Sequence, residues 1–166
     1  MSRQIGDSVI GLGYGAMFER QIQQESGFAP DVVVGQRKSS AGAEGIAQLM
    51  PQYYPHVNRT DPAQSLHAGA QTMQQHLKTW GGDVRKALAS YNAGPNRIRQ
   101  LRKETEKRGL NPNVWFGNVE RVVAERVGSE TVTYVSNIYK YYVAYKLVLA
   151  QRQATQKARE SIKSSQ

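Results

Sequence analysis

Apolar residues recur along this chain mainly at intervals of three and four, the period of an amphipathic α-helix. The clearest stripe has successive intervals of four, three, four and three residues, and its members are Leu66, Ala70, Met73, Leu77 and Trp80. Asp61 precedes this stripe as a predicted N-cap, with Pro62 at the first helical position. Gly81 and Gly82 end it, and Asp83 is placed to cap another helix. The pattern therefore predicts two helices joined by a tight turn and packed antiparallel.

Similar patterns predict helices along most of the remaining chain. One helix ends at Gly27, and a short one over 43–50 ends before a proline. A basic helix is expected over 96–108, followed by another over 111–127. A last, long helix starts at Ser129, and its apolar stripe consists of Val135, Ile138, Tyr142, Tyr145 and Leu149.

These elements predict an all-α fold, with one short β segment near 32–34, where three valines follow one another. The 166 residues suffice for one domain with its own core. We expect an irregular, glycine-containing lead-in over residues 1–15 and the folded domain over 16–150. Residues 151–166 are expected to form a polar, basic tail that frays, because the apolar pattern fades there.

Composition narrows the chemistry that the chain could support. There is no cysteine, which excludes disulfides, thiol catalysis and thiolate metal sites. The three histidines lack the spacing of metal ligands, so neither a metal nor a cofactor is expected. The net charge of +9 suits an anionic partner, such as a cell-wall polymer, a nucleic acid or a membrane surface. No apolar run reaches the length of a membrane span.

The helix that ends at Gly27 carries a carboxylate on its apolar face. Phe18, Ile22 and Glu25 lie at i, i+4 and i+7, so Glu25 is predicted to point inward in the last turn. Partial burial and the negative end of the helix dipole both raise a carboxyl pKa, as a general acid at neutral pH requires. The simpler alternative, and the favoured one on this stretch alone, is a last-turn Glu that extends into solvent.

The remaining acidic residues offer no obvious partner for Glu25. Most are predicted to cap helices or to lie on solvated helix faces. Glu44 and Glu130 are expected in first turns, where the helix dipole favours them, and Asp31 in a loop. The chain thus has one well-placed acid and no evident second carboxylate, although glycan cleavage usually uses two.

Four segments, in order, resemble the catalytic domain of the soluble lytic transglycosylases, a family that includes goose-type lysozymes. They are Glu25-Ser-Gly-Phe-Ala-Pro30, Ser39 to Pro51, Ala89-Ser-Tyr-Asn-Ala-Gly-Pro95 and Glu130-Thr-Val-Thr-Tyr-Val135. The resemblance covers about residues 16–145 and implies a lysozyme-like fold with a glycan groove. In two places the chain departs from the family: the loop between Glu25 and Ser39 is longer than usual, and the segment 97–127 is longer and more basic.

The resemblance also implies an activity. Glu25 would protonate the glycosidic oxygen between N-acetylmuramic acid and N-acetylglucosamine and then act as base. The 6-hydroxyl of the muramic acid would attack internally and leave a 1,6-anhydro ring, with assistance from the N-acetyl group, so no second carboxylate would be needed. The substrate-binding residues implied are Ser39, Gln48, Met50, Tyr91, Asn92, Glu130 and Tyr134.

Three alternatives remain open at this point. A goose-type hydrolase would need an Asp to position water, for which Asp31 is the one candidate. A non-catalytic wall-binding or virion structural module would keep the fold without activity. Nucleic-acid binding through the basic helix is the third and least favoured alternative, and no nucleic-acid partner is expected, because no aromatic platform accompanies that helix.

The expected partner is the glycan strand of peptidoglycan, bound by a monomer or by part of a larger virion or secretion assembly. Action is expected at the cell wall, in the periplasm or outside the cell. Residues 1–7 do not form a secretory signal, because Asp7 and repeated glycines interrupt any apolar core. This predicts either a virion-associated protein or a domain cut from a longer secreted one.

Overall fold

Helices dominate the computed structural model, which describes residues 1–164 and confirms the all-α prediction. The α-helices are α1 (Ser2–Ile5), α2 (Gly15–Ser26), α3 (Pro30–Val33), α4 (Pro62–Thr79), α5 (Val84–Ala93), α6 (Pro95–Lys107), α7 (Glu120–Arg126) and α8 (Ser129–Ser164). Two π-helical turns (Gly6–Ile10 and Trp115–Val119) and a 3₁₀ turn (Pro51–Tyr53) complete the elements. Within residues 1–164, no helix combines the length and the hydrophobicity needed to cross a membrane.

The predicted helix termini that matter most for the site are present. Asp61 accepts a hydrogen bond from the backbone N–H of Gln64 at the start of α4, and Asp83 accepts two at the start of α5. Gly27 adopts a left-handed φ of 61° and donates to the carbonyl of Gln23, which ends α2.

Two apolar clusters hold the helices together. One surrounds α5 and joins it to α6, α7 and α8, with Trp115 and Ile138 fully buried in it. The other joins α2 to α4 and contains Phe18 and Leu66. Tyr91 of α5 packs against both clusters, so the polar groups near it lie where the two halves of the domain meet.

Three sequence predictions about local structure are wrong. Residues 1–15 are not irregular throughout, because Ser2–Ile10 is helical and packs on α2. The β segment near 32–34 is absent: Pro30 starts the short helix α3, and burial of Val32 outweighs the β preference of the valines. The predicted tail is helical as far as Ser164, since α8 continues to that residue with its residues 151–162 exposed; the last two residues of the predicted tail, 165–166, lie outside the described residues.

The predicted helix over 43–50 is also wrong. This segment is a tight turn closed by two backbone hydrogen bonds between Glu44 and Leu49. Gly45 and Gln48 have φ values of +73° and +49°, which no α-helix accommodates. A Cβ on Gly45 would lie 1.8 Å from the carbonyl oxygen of Arg59, so only glycine fits there.

The helix predicted over 111–127 is interrupted. Phe116 and Gly117 have non-helical dihedrals, and the regular helix α7 starts only at Glu120. The apolar spacing persists across the break, because Trp115, Val119 and Val123 are all buried. Periodicity alone therefore could not show the interruption.

Candidate active site

Glu25 is in the last turn of α2, where α8 crosses it. The hydroxyl of Tyr134, near the start of α8, donates a hydrogen bond of 2.5 Å to Oε1 of Glu25. Phe18 and Ile22, on the same side of α2, are fully buried, so the predicted inward face of this helix is confirmed. The two residues that meet here are 109 positions apart in the chain.

Burial raises the pKa of Glu25 from 4.5 to about 7, while the hydrogen bond from Tyr134 lowers it in part. A carboxyl group with such a pKa is present in both protonation states near neutral pH. It can therefore give up a proton and take one back without a large free-energy cost in either direction.

Tyr91 approaches this carboxyl group from α5. Burial raises the pKa of the Tyr91 phenol, and the charge of Glu25 raises it further. Its hydroxyl donates a 2.9 Å hydrogen bond to the carbonyl of Ala47. Gly69 of α4 makes room for this contact, because a Cβ there would lie 3.0 Å from both the Tyr91 hydroxyl and the Ala47 methyl.

A cleft of about 570 Å³ opens beside Tyr91. Four of the sequence-predicted site residues line it, namely Gln48, Met50, Tyr91 and Asn92. Glu25 and Tyr134 are not part of its wall, and Tyr91 connects the cleft to them. None of the described residues of the wall is an Asp or a Glu. Besides the four predicted residues, the wall contains Leu49, Tyr53, Tyr54, Thr72, His76, Ser90, Ala93, Gly94, Pro95, Asn96 and Arg97.

The turn that carries Gln48 and Met50 is firmly held. The side-chain amide of Gln48 donates to the carbonyl of Gly45 at 2.9 Å, which stabilises the left-handed backbone. Glu44 forms ion pairs with Lys38 (2.6 Å) and Arg59 (3.0 Å). The hydrogen bond from Lys38, and next the one from Arg59, lower the pKa of Glu44. Glu44 is thus a structural residue, and not the first-turn helical Glu that the sequence predicted.

Two other predicted site residues lie outside the cleft wall. Ser39 is exposed, and its hydroxyl accepts a 2.9 Å hydrogen bond from the backbone N–H of Ala43. Glu130 is exposed in the first turn of α8. Beside it, Thr131 donates a 2.7 Å hydrogen bond to Asn92, which joins the start of α8 to α5.

Asp31, the candidate for positioning water, is occupied elsewhere. Arg37 donates to it at 2.7 Å, and this hydrogen bond lowers the Asp31 pKa. The pair is solvent-exposed. Asp31 therefore lies in the first turn of α3, not in the predicted loop, and forms a surface ion pair with Arg37 in the loop that follows this helix.

Sequence analysis assigned no functional role to His76 or Tyr54, which also line the cleft. The His76 ring meets the edge of Tyr91 at a centroid distance of 6.5 Å. Burial lowers the pKa of His76, and the charge of Arg99 lowers it further, so both favour the neutral imidazole. Tyr54 shares a 2.6 Å hydrogen bond with Thr72. The sequence pattern that could have indicated these cleft residues is the four-residue spacing of Thr72 and His76, which places both on a face beside the apolar stripe of α4.

Comparison with known proteins gives a consistent result. Residues 20–113 match the model of the transglycosylase SLT domain. Three similar proteins are each named membrane-bound lytic murein transglycosylase F. Those of Ectopseudomonas mendocina (strain ymp), Shewanella loihica (strain ATCC BAA-1088 / PV-4) and Pseudomonas syringae pv. tomato (strain ATCC BAA-871 / DC3000) are 29%, 30% and 31% identical. The matches cover 72% of this chain but only 28%, 29% and 27% of those proteins, so the chain spans less than a third of their length.

Proposed function

This chain belongs to the transglycosylase SLT family, and we propose on that basis that it is a peptidoglycan lytic transglycosylase. Its substrate would be the β-1,4 bond between N-acetylmuramic acid and N-acetylglucosamine. One observation carries the proposal: a single carboxyl group, Glu25, has a pKa near neutrality and a fixed hydrogen-bond partner, and Tyr91 joins it to the cleft.

In the first step, protonated Glu25 donates its proton to the glycosidic oxygen as the bond from C1 of the muramic acid to that oxygen breaks. Tyr134 holds Oε1, which leaves Oε2 of Glu25 to carry the proton to the leaving group. The N-acetyl group of the muramic acid assists by stabilising the positive charge that develops at C1.

In the second step, ionised Glu25 acts as base. The 6-hydroxyl of the same muramic acid attacks C1, and its proton passes to the Glu25 carboxylate. The products are a 1,6-anhydromuramic end and a free N-acetylglucosamine hydroxyl, with Glu25 protonated again. No water is consumed, and no second carboxylate is required.

We assign substrate binding to seven residues: Ser39, Gln48, Met50, Tyr91, Asn92, Glu130 and Tyr134. Support for them differs. Gln48, Met50, Tyr91 and Asn92 share the cleft, and Tyr134 contacts Glu25. The assignments of Ser39 and Glu130 rest on the family resemblance alone.

Hydrolysis is the main rival reaction. It requires a group that positions water, and the candidate Asp31 is engaged with Arg37 at the surface. A non-catalytic module is a weaker rival, because it gives no reason to keep Glu25 in an environment that opposes its ionisation. The proposed place of action is the cell wall, in the periplasm or outside the cell; carriage by a virion or a secretion assembly stays a prediction.

Analysis of glycan ends tests the proposal. Purified peptidoglycan is digested with the wild type, with Glu25→Gln and with the control Glu106→Gln, whose carboxylate is exposed on α6. We expect anhydro ends, one water lighter than reducing ends, from the wild type and the control, and none from Glu25→Gln. Reducing ends would identify a hydrolase, and equal cleavage by Glu25→Gln would refute a catalytic role for this residue.

A further inference from the structure

Gln21 of α2 is completely buried, with a relative exposure of 0%. Within residues 1–164, neither its amide nitrogen nor its amide oxygen has a hydrogen-bond partner. A buried polar group without partners lowers the stability of the folded state, because its hydrogen bonds to water are lost on folding and not replaced. An apolar side chain of the same size would avoid this cost, so the presence of glutamine at this position calls for an explanation.

The position of Gln21, next to Glu25 and Tyr134, suggests why a glutamine is present there. It precedes Glu25 by four residues, so the two side chains lie on the same side of α2, one turn apart. Tyr134 of α8 packs at this place and is itself 5% exposed. The Gln21 amide lies near enough to the Tyr134 hydroxyl to lower the pKa of that phenol, whereas burial and the charge of Glu25 raise it.

We propose that Gln21 is a positioning residue, which donates its amide N–H to the Tyr134 hydroxyl oxygen when Tyr134 donates to ionised Glu25. The inference rests on the proposed function, in which Glu25 alternates between acid and base. A hydrogen bond accepted by the phenol oxygen makes the phenol a stronger donor. The chain of amide, phenol and carboxylate therefore stabilises ionised Glu25, and a small movement of the Gln21 amide, which has no partner within the described part of the chain, would complete it.

Other charged groups on α2, or on elements packed against it, have neighbours other than Glu25. Arg20 donates to Gln23 and lies over the Tyr141 ring, although its Nε has no hydrogen-bond partner among the described residues. Lys140 and Lys146 of α8 lie over the rings of Tyr141 and Tyr14. Arg3 of α1 pairs with Glu19 at 2.6 Å. Asp7, in the first π-helical turn, accepts hydrogen bonds from the backbone N–H groups of Gly13 and Gly15. A change in the Glu25 titration on replacing Gln21 would therefore report the path through Tyr134, with neutral Tyr91 as the remaining neighbour.

The test is a double-mutant cycle read by the titration of Glu25. The Glu25 carboxyl carbon is followed by ¹³C NMR against pH in the wild type, Gln21→Met, Tyr134→Phe and the double variant. We expect Gln21→Met to raise the Glu25 pKa by about 0.5 in the wild-type background and not at all in the Tyr134→Phe background. The thermal midpoint of Gln21→Met should equal or exceed that of the wild type.

The matched control is Gln24→Met, which alters an exposed glutamine of the same helix and should leave the titration unchanged. An unchanged Glu25 pKa in Gln21→Met, or an equal shift in both backgrounds, would overturn the inference. A lower thermal midpoint without a pKa change would make Gln21 an ordinary core residue. The NMR titration does not depend on lytic activity, so loss of the proposed function and loss of this inference are distinguishable.

Discussion

Replacing Glu25 by Gln should abolish activity and also stabilise the protein at neutral and alkaline pH. Gln resembles the protonated carboxyl group in size, and it keeps an oxygen that can accept the Tyr134 hydrogen bond. The unfavourable ionisation of a buried carboxyl group is removed. Stability and catalysis thus oppose each other at this residue.

The expected size follows from the pKa of Glu25, which is raised from 4.5 in the unfolded chain to about 7 in the folded protein. Below about pH 4, Glu25 is protonated in both states, so wild type and variant should be equally stable. Between about pH 4.5 and pH 7, the folded wild type holds a proton that the unfolded chain has released, so its stability falls over this range and levels off above it. The wild type therefore loses about 3 kcal/mol of stability relative to Glu25→Gln by about pH 8.

Urea denaturation followed by circular dichroism at about pH 4 and about pH 8 measures this difference. Comparing the variant with the wild type at each pH cancels the contributions of all other titrating groups. Glu106→Gln, at an exposed position of α6, serves as the control and should change stability by less than about 0.5 kcal/mol at both values. A stability difference that is the same at both pH values would refute the argument that burial raises the pKa of Glu25.

Three further predictions follow from other contacts. Tyr134→Phe removes the hydrogen bond that lowers the Glu25 pKa. The alkaline limb of the pH–rate profile should therefore move to higher pH, and activity should fall roughly tenfold. An alkaline limb that does not move would contradict this prediction. Gly45→Ala forces a Cβ against the carbonyl of Arg59 at a left-handed position, and calorimetry should show a loss of at least about 3 kcal/mol. Ending the chain at residue 150 should leave the thermal midpoint nearly unchanged, because residues 151–162 are exposed; a large drop would show that they support the domain.

Sequence patterns predicted those parts of the fold whose causes are local. Asp61 and Gly27 mark helix ends because their capping bonds involve residues only a few positions away. The segment 43–50 has apolar residues at helical spacing, but it is a turn. Its shape depends on the close approach of Arg59 to Gly45, and no local pattern contains that information.

The same distinction applies to the site. Periodicity predicted that Glu25 lies on an inward helix face. It could not identify Tyr134, 109 residues away, as the partner of Glu25, and only the family resemblance indicated Tyr134 as a site residue. Sequence analysis only excluded His76 as a metal ligand, because its place in the cleft wall depends on contact with Tyr91 of another helix. Residues that act through long-range packing need either a structure or a known relative.

The junction of Tyr91, Ala47 and Gly69 has a consequence for substrate binding. The Tyr91 hydrogen bond joins α5 to the turn 43–50, and the lack of a Cβ at Gly69 lets α4 pack directly against both, so these three parts of the cleft wall are held in one packed arrangement. The conformational entropy of this wall is then lost during folding and not when the glycan binds. We therefore expect association kinetics close to those of a rigid receptor, with a single phase whose rate rises linearly with glycan concentration.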